Sequence, residues 1–367
     1  MIKSKTESSF DCASQVVSNA ISGSIALSAS DLVLLDEPGT FYETIRQRIR
    51  TAKRCIVVSA LYLGTGELEK QLLEDLDEAL ENEKELVVTL VFDYNRAHRL
   101  NEDSLPQYHI ILPILQKYGA DRVRLRLYKM PALYASYYQL LPVQLREIIG
   151  VYHVKFLQFD DAVMLTGANL SEEYFTSRLD RYLLVERGLS SFFRKYSEII
   201  DRQCHVVGID GTLKTPIAHE TQLQSELQQL VSGNATNYEG SGDIDTILFP
   251  MAQHASVGVV QESRAFPNIL KELATLHKSE GSTNNICTSL VVASPYPSFT
   301  KSFVEGIRAL SLSLLRHHRD PGILISASRL SHGFGGETDG LKAVIPTLHD
   351  AILHDSVSGV GAGAGAG

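Results

Sequence analysis

The chain alternates between short apolar runs and longer stretches with a helical period. "FYETIRQRIRTAKR" sets Phe41, Ile45 and Ile49 on one face with basic residues opposite, which predicts an amphipathic helix. "CIVVSALYL" is a β-branched run, the pattern of a buried strand. "GTGELEKQLLEDLDEALENE" opens on Gly-Thr-Gly and carries Leu68, Leu72, Leu73, Leu76 and Leu80, which predicts a helix with a threonine near its N-terminus. "ELVVTLVFD" reads as a second buried strand and "SLPQYHIILPILQKYG" as a helix. "DRVRLRLYK" alternates strictly, as a half-exposed strand does, and sets Arg122, Arg124 and Arg126 on one face. That face is either solvated or a surface for phosphates or anionic lipid. Strands alternating with helices predict an α/β fold with a mostly parallel sheet.

The pattern also divides the chain. Residues 1–37, rich in serine and small side chains, read as a weakly ordered N-terminal segment. Residues 38–206 form a first α/β half, and 207–245 a polar linker with an exposed helix at 219–231. Residues 246–357 carry a strand near 245–253, a helix near 263–278, the strand "NICTSLVVASPY", a helix at 298–316 and the strand "GILISAS". This order echoes residues 41–92 and predicts two similar halves, the second partial. Residues 358–367 are a low-complexity Gly/Ala tail.

Composition narrows the class. The 367 residues, 44% of them hydrophobic, are ample for a buried core and favour two domains. No apolar run approaches the roughly 20 residues of a membrane-spanning helix, so a soluble or peripheral protein is expected. The net charge of -9 argues against nucleic acid as a partner. Cys12, Cys55, Cys204 and Cys287 are scattered without metal spacing, which predicts free thiols and no metal site. The start has no signal-peptide core and, with Glu7 and Asp11 and no arginine, makes a poor transit peptide. Residues 130–150, rich in Tyr and Leu, suit packing under a long loop or contact with lipid.

Candidate chemistry concentrates in "YHVKFLQFDDAVMLTGANLSEEYF". If "HVKFLQF" is a strand, His153 and Lys155 project together. "DD" at 160–161 turns the chain, and "AVMLTGAN" brings Asn169 back towards them. Gly167 leaves room for close approach to the backbone. Lys155 offers a fixed positive charge, Asn169 an amide donor, and His153 a nucleophile or general acid. Such a set suits the charge spread over a phosphoryl group in transfer. "LGTG" at 63–66 reads as a tight turn or as backbone amides aimed at a phosphate. Arg178, Asp180 and Arg181 in "SRLDRY" line the pocket or form a surface ion network, and Glu172 and Glu173 suit a helix start.

The spacing H-x-K-x4-D-x6-G-x-N, carried by His153, Lys155, Asp160, Gly167 and Asn169, resembles the phospholipase D superfamily signature. With "VSALYLGTGELEKQLLEDLDEAL", "DYNRAHR" and "GANLSEEYFTSRLDRYLLV", the chain is similar to the eukaryotic phosphatidylglycerophosphate synthase family over about 38–205. The likeness is looser over 240–345, through "TSLVVASPYPSF" and "SHGFGGETDGLKAVIP". The resemblance implies a phospholipase D-like fold. It also implies transfer of the phosphatidyl group of CDP-diacylglycerol to sn-glycerol 3-phosphate through a phosphohistidine, without ATP or an organic cofactor. In that reading His153, Lys155 and Asp160 are the catalytic motif, with Asp160 a structural partner within it. Gly167, Asn169, Arg178 and Arg181 line the substrate site. A mitochondrial protein, at the inner membrane and bound peripherally, is implied as well.

The superfamily site is normally built from two such motifs, but His153-Val154-Lys155 is the sole H-x-K in this sequence. The expectation is therefore half a site, a partial second half, and a homodimer as one way to complete the chemistry. The alternatives are a catalytically incomplete remnant that binds the nucleotide lipid, and another phosphodiesterase of the same superfamily.

Overall fold

A computed structural model describes residues 15–134, 140–141, 146–147, 150–217, 220–235, 243–276, 290–294, 300–316 and 323–327. Cys12, Cys287, the Gly/Ala tail, "SHGFGGETDGLKAVIP" and much of 130–150 lie outside them. Two compact units emerge. One is Gly23–Pro250 with His254–Val259; the other takes the described residues of 1–22, 251–253 and 260–367.

The first unit is built on strands β1 (Ser24–Leu27), β2 (Leu32–Leu35), β3 (Cys55–Ala60), β4 (Val87–Asp93), β5 (Val123–Tyr128), β6 (Phe156–Phe159), β7 (Ala162–Thr166), β8 (Tyr182–Val185), β9 (Cys204–Val207) and β10 (Leu213–Lys214). Nine of them form a sheet in the order β10-β9-β5-β4-β3-β6-β7-β8-β2. The sheet is mixed, not mostly parallel: only β3 with β4 and β4 with β5 run parallel. The reason lies in the connections. A parallel pair needs a crossover of a dozen or more residues, whereas Asp160 and Asp161 allow only a hairpin between β6 and β7. Asp160 turns that corner at φ 52°, a left-handed conformation that aspartate tolerates.

The helices follow the apolar stripes. Pro38–Thr51 starts on proline and buries Phe41, Tyr42, Ile45 and Ile49. Glu67–Asn82 buries Leu72, Leu73, Leu76 and Leu80. Asp75 clamps the two helices, accepting from Arg46 at 2.7 Å and from Arg50 at 2.6 Å. Strands β3, β4 and β5 run beneath them in one core with Ile56, Leu90 and Leu125 fully or nearly enclosed.

Two expectations change here. Residues 1–37 are not uniformly irregular, since β1 pairs with Thr246–Leu248 and β2 closes the large sheet against β8. Thr246–Leu248 therefore belongs to the first unit, and the division falls after Pro250. The arginine stripe also dissolves. Arg122 ends the helix Leu112–Arg122 and donates to the carbonyls of Leu80, Glu83 and Leu86. Arg126 pairs with Asp201 at 2.6 Å, which leaves Arg124 as the exposed member.

In the second unit helices Gln261–Leu276 and Lys301–Arg316 pack through Leu270, Ala274, Ile307, Leu310 and Leu314. Leu290–Ser294 pairs in parallel with Ile323–Ala327. The expected order of helix, strand, helix, strand is present. Among the described residues no helix is long and apolar enough to cross a membrane.

Candidate active site

Strand register decides which residues meet. Ser59 of β3 pairs with Phe156 of β6, and Phe156 pairs with Leu165 of β7. The C-terminal ends of β3 and β7 therefore lie beside the N-terminal start of β6. Ala60 pairs with Phe92, so the end of β4 falls there too. Residues just before Phe156 and just after Leu165 are thereby brought to one edge of the sheet, with whatever follows Asp93. Open α/β sheets place ligands beyond the carboxyl ends of their parallel strands.

His153 and Lys155 occupy extended chain immediately before β6 rather than the strand itself. That segment is held by buried polar groups. The Asp93 carboxylate accepts from the backbone N–H of Tyr152 at 2.8 Å and from that of Arg96 at 2.8 Å. Ser59 Oγ lies 2.9 Å from the Tyr152 hydroxyl and donates to the Val154 carbonyl at 3.1 Å. Asp93 is almost fully enclosed, and its pKa is raised to about 7, by burial first, against the pull of the two N–H donors.

The Lys155 side chain is 9% exposed, and its ammonium donates to the His153 carbonyl at 3.2 Å. Burial pushes its pKa down to about 8; Asp180 opposes that shift and Arg96 adds to it. His153 is an exposed residue whose ring nonetheless loses much of its hydration to its surroundings. Loss of hydration, then the charges of Lys155 and Arg96, hold its pKa at about 4. The imidazole is therefore neutral at pH 7 with a free lone pair, the state a nucleophile requires. Asn169 is buried, and its side-chain Oδ1 has no hydrogen-bond partner among the described residues. A flip of the amide offers its NH2 to the same place.

Gly167 has a specific neighbour. A Cβ there would stand 2.7 Å from Asp180 Oδ1. The glycine lets that carboxylate close in, and the Gly167 N–H donates to it at 3.2 Å. Of the "SRLDRY" residues, Asp180 is the one whose charge acts on Lys155. Arg178 is exposed, paired with Glu173 at 2.7 Å and laid over the Tyr174 ring. Arg181 is exposed, and its N–H donates to Asp180 at 2.7 Å. Both arginines expected in the substrate site are thus exposed, Arg178 beside Glu173 and Tyr174.

Asp160 lies apart from this group, at the opposite end of β6. Its carboxylate accepts from the backbone N–H groups of Lys53, Arg54 and Cys55 at 2.9, 2.8 and 2.9 Å. It ties the β6–β7 corner to the start of β3. The "LGTG" turn also has an internal occupant. Glu69 lies beneath Gly64 and Gly66, and its carboxylate accepts from the Glu172 N–H at 2.7 Å. Burial raises its pKa. Glu172 and Glu173 do open a short helix, Glu172–Thr176.

Pattern reading missed Arg96 and Tyr62, although both lie in quoted stretches. Arg96 belongs to the single turn Tyr94–Ala97 and lies over the Tyr62 ring, 4.4 Å from its centre. The signal available was Asp93 three residues earlier, the N-cap that accepts from Arg96. Among the described residues no group of three or more His, Cys, Asp or Glu side chains is placed to hold a metal ion.

The geometry presents a neutral imidazole, an ammonium, an amide and a second cation on one edge of the sheet. No family model matches the sequence. The chain is 38% identical over 261 residues to the mitochondrial CDP-diacylglycerol–glycerol-3-phosphate 3-phosphatidyltransferase of Gallus gallus, covering 69% of this chain and 43% of that protein. It is 26% identical over 354 residues to a probable enzyme of the same name from Dictyostelium discoideum, covering 88% and 57%. The chain thus spans about half the length of these curated relatives. Among solved structures, the phosphatidylserine synthase of Haemophilus influenzae superposes with a TM-score of 0.57 at 20% identity, covering 86% of this chain and 65% of that one.

Proposed function

From a chain that is homologous to the CDP-diacylglycerol–glycerol-3-phosphate 3-phosphatidyltransferases and has the phospholipase D fold, we propose that the site transfers the phosphatidyl group of CDP-diacylglycerol to sn-glycerol 3-phosphate. The observation that carries the reading is the pairing of a neutral, exposed His153 with a buried Lys155 and an Asn169 whose side-chain oxygen has no partner among the described residues.

His153 attacks the phosphorus that bears the diacylglycerol. A P–N bond forms, the P–O bond to CMP breaks, and CMP departs with the electron pair and a proton from an acid. The 1-hydroxyl of glycerol 3-phosphate then attacks the phosphohistidine and loses its proton. The P–N bond breaks, phosphatidylglycerophosphate leaves and the imidazole is restored. Lys155 and Asn169 hold the non-bridging oxygens as their charge rises. Asp180 keeps Lys155 charged, and Asp93 with Ser59 fixes the segment that carries both motif side chains. Gly167 serves by admitting Asp180. The mitochondrial relatives support a mitochondrial site of action, and the lipid substrate implies a membrane surface as its source.

One observation favours a second reading. The H-x-K at 153–155 has no counterpart among these 367 residues, and a second copy of the chain is one source of the acid for CMP. Without such a source the chain binds the nucleotide lipid without turning it over.

The test is CMP release from CDP-diacylglycerol in mixed micelles by the purified chain, with and without glycerol 3-phosphate, beside His153→Ala. Release that requires glycerol 3-phosphate and vanishes in the variant is expected. Release that ignores glycerol 3-phosphate would make the chain a hydrolase, and release that survives His153→Ala would end the phosphohistidine mechanism.

A further inference from the structure

Two arginines converge on one carboxylate beside the site. Glu147 is buried and takes a full fork from Arg99, at 2.8 Å to Nε and 2.5 Å to Nη2. Arg96 reaches the same carboxylate only as an ion pair, 3.6 Å from Nη1 to Oε2, beyond hydrogen-bond distance. Arg96 Nε is buried and has no hydrogen-bond partner among the described residues. The full fork on Glu147 belongs to Arg99, so Arg96 meets that carboxylate only at ion-pair distance. A buried charge left incompletely paired is costly, and the fold has other means of filling such a place.

The arginine is also aimed. Asp93 fixes its backbone N–H, and the Tyr62 ring lies flat beneath the guanidinium, 4.4 Å from its carbon. The Tyr62 hydroxyl stands 3.3 Å from Ser171 Oγ, two residues beyond Asn169. The charge of Arg96 is felt by both His153 and Lys155. A planar fork held on an aromatic face is shaped for two oxygens of one phosphate.

We propose that Arg96, seated on Tyr62, forms a second phosphate subsite that binds a phosphate group other than the one His153 attacks. This deepens the proposed function and rests on it for the identity of the ligand. Two phosphates of that reaction have the required chemistry. One is the phosphate that departs on CMP, which gains charge as its bond to phosphorus breaks. The other is the phosphomonoester of glycerol 3-phosphate.

The test reads binding without turnover. The intact chain is titrated calorimetrically with CMP and, separately, with glycerol 3-phosphate, as wild type, Arg96→Gln and Arg96→Lys. Loss of a charge-assisted fork weakens binding about 10-fold or more. Arg96→Gln should lose that much for one of the two ligands, and the ligand lost assigns the subsite. Arg96→Lys keeps a point charge without the fork and should fall between; it decides the matter if Arg96→Gln does not fold by circular dichroism. Wild type that binds neither ligand, or variants that bind both as wild type does, would overturn the subsite. The two readings fail separately. Normal turnover by Arg96→Gln keeps the transferase and removes the subsite. Arg96-dependent binding of CMP by a chain that releases none from the lipid keeps the subsite and removes the transferase.

Discussion

Asp160 stands in the signature spacing, yet its carboxylate faces three backbone N–H groups rather than the site. A series at this position separates the two roles. Asp160→Asn retains an oxygen to accept from Arg54 and Cys55 and loses the Lys53 bond, at a cost of about 1 kcal/mol. Asp160→Gly loses all three bonds; the corner is partly exposed, so water replaces them and the loss is roughly 2–3 kcal/mol. Asp160→Ala loses the same bonds and must also hold a Cβ residue in the left-handed region, which adds about 1–2 kcal/mol. The order of stability should be wild type, Asn, Gly, Ala. Urea unfolding followed by circular dichroism measures it, with an unchanged slope confirming that the folded state itself is intact. The Asn variant should retain phosphate-ligand binding and any CMP release of the wild type at 25 °C. Abolished chemistry in a stable Asp160→Asn protein would refute the structural assignment and return the carboxylate to the mechanism.

Other outcomes follow from the buried titratable groups. His153 should stay neutral by NMR at pH 5.5 and gain its proton only near pH 4. Its folded pKa lies below the ordinary histidine value of about 6.5, so it favours folding at neutral pH and that contribution fades as pH falls from 6.5 towards 4. His153→Ala should flatten this part of the stability profile, and a His153 resonance titrating at 6.5 would contradict the crowded site. Glu69 behaves in the opposite sense: its folded pKa is raised by burial, so its stabilisation is greatest at low pH and declines as pH rises above the ordinary glutamate range. Glu69→Gln should therefore gain on wild type between pH 5 and pH 8 in thermal unfolding. A constant difference across that range would mean that Glu69 does not titrate as a buried acid.

The elements were legible where the environment writes a local pattern. Cys55–Ala60 and Val87–Asp93 are apolar on both faces because helices and neighbouring strands enclose them, and a continuous run reports that enclosure directly. Strand direction is different. Nothing in "FLQF" states that Phe159 pairs with Ile56, about a hundred residues earlier, and not with a parallel neighbour. The strands Ser24–Leu27 and Leu32–Leu35 are four residues each, too short for alternation to stand out from a serine-rich background. In the site, His153, Lys155, Gly167 and Asn169 were legible because the hairpin turn is local and sets their spacing. Arg96 was not, because one helical turn has no period and a lone arginine in "DYNRAHR" looks like a surface residue. Its meaning depends on Tyr62 and on a carboxylate, Glu147, already taken by Arg99.

The central position of β6 bears on the order in which the molecule assembles. Strands β3, β4 and β5 follow one another through helical crossovers and can pair while the chain is still being made. β6 docks on the free edge of β3 only after about a hundred further residues have emerged, and such distant pairings come slowly. The hairpin that docks there carries His153 and Lys155 at its entrance and Gly167 and Asn169 at its exit. The candidate site therefore forms only once β6 has paired with β3. A nascent or partly opened chain can thus keep its parallel core before the candidate site is assembled.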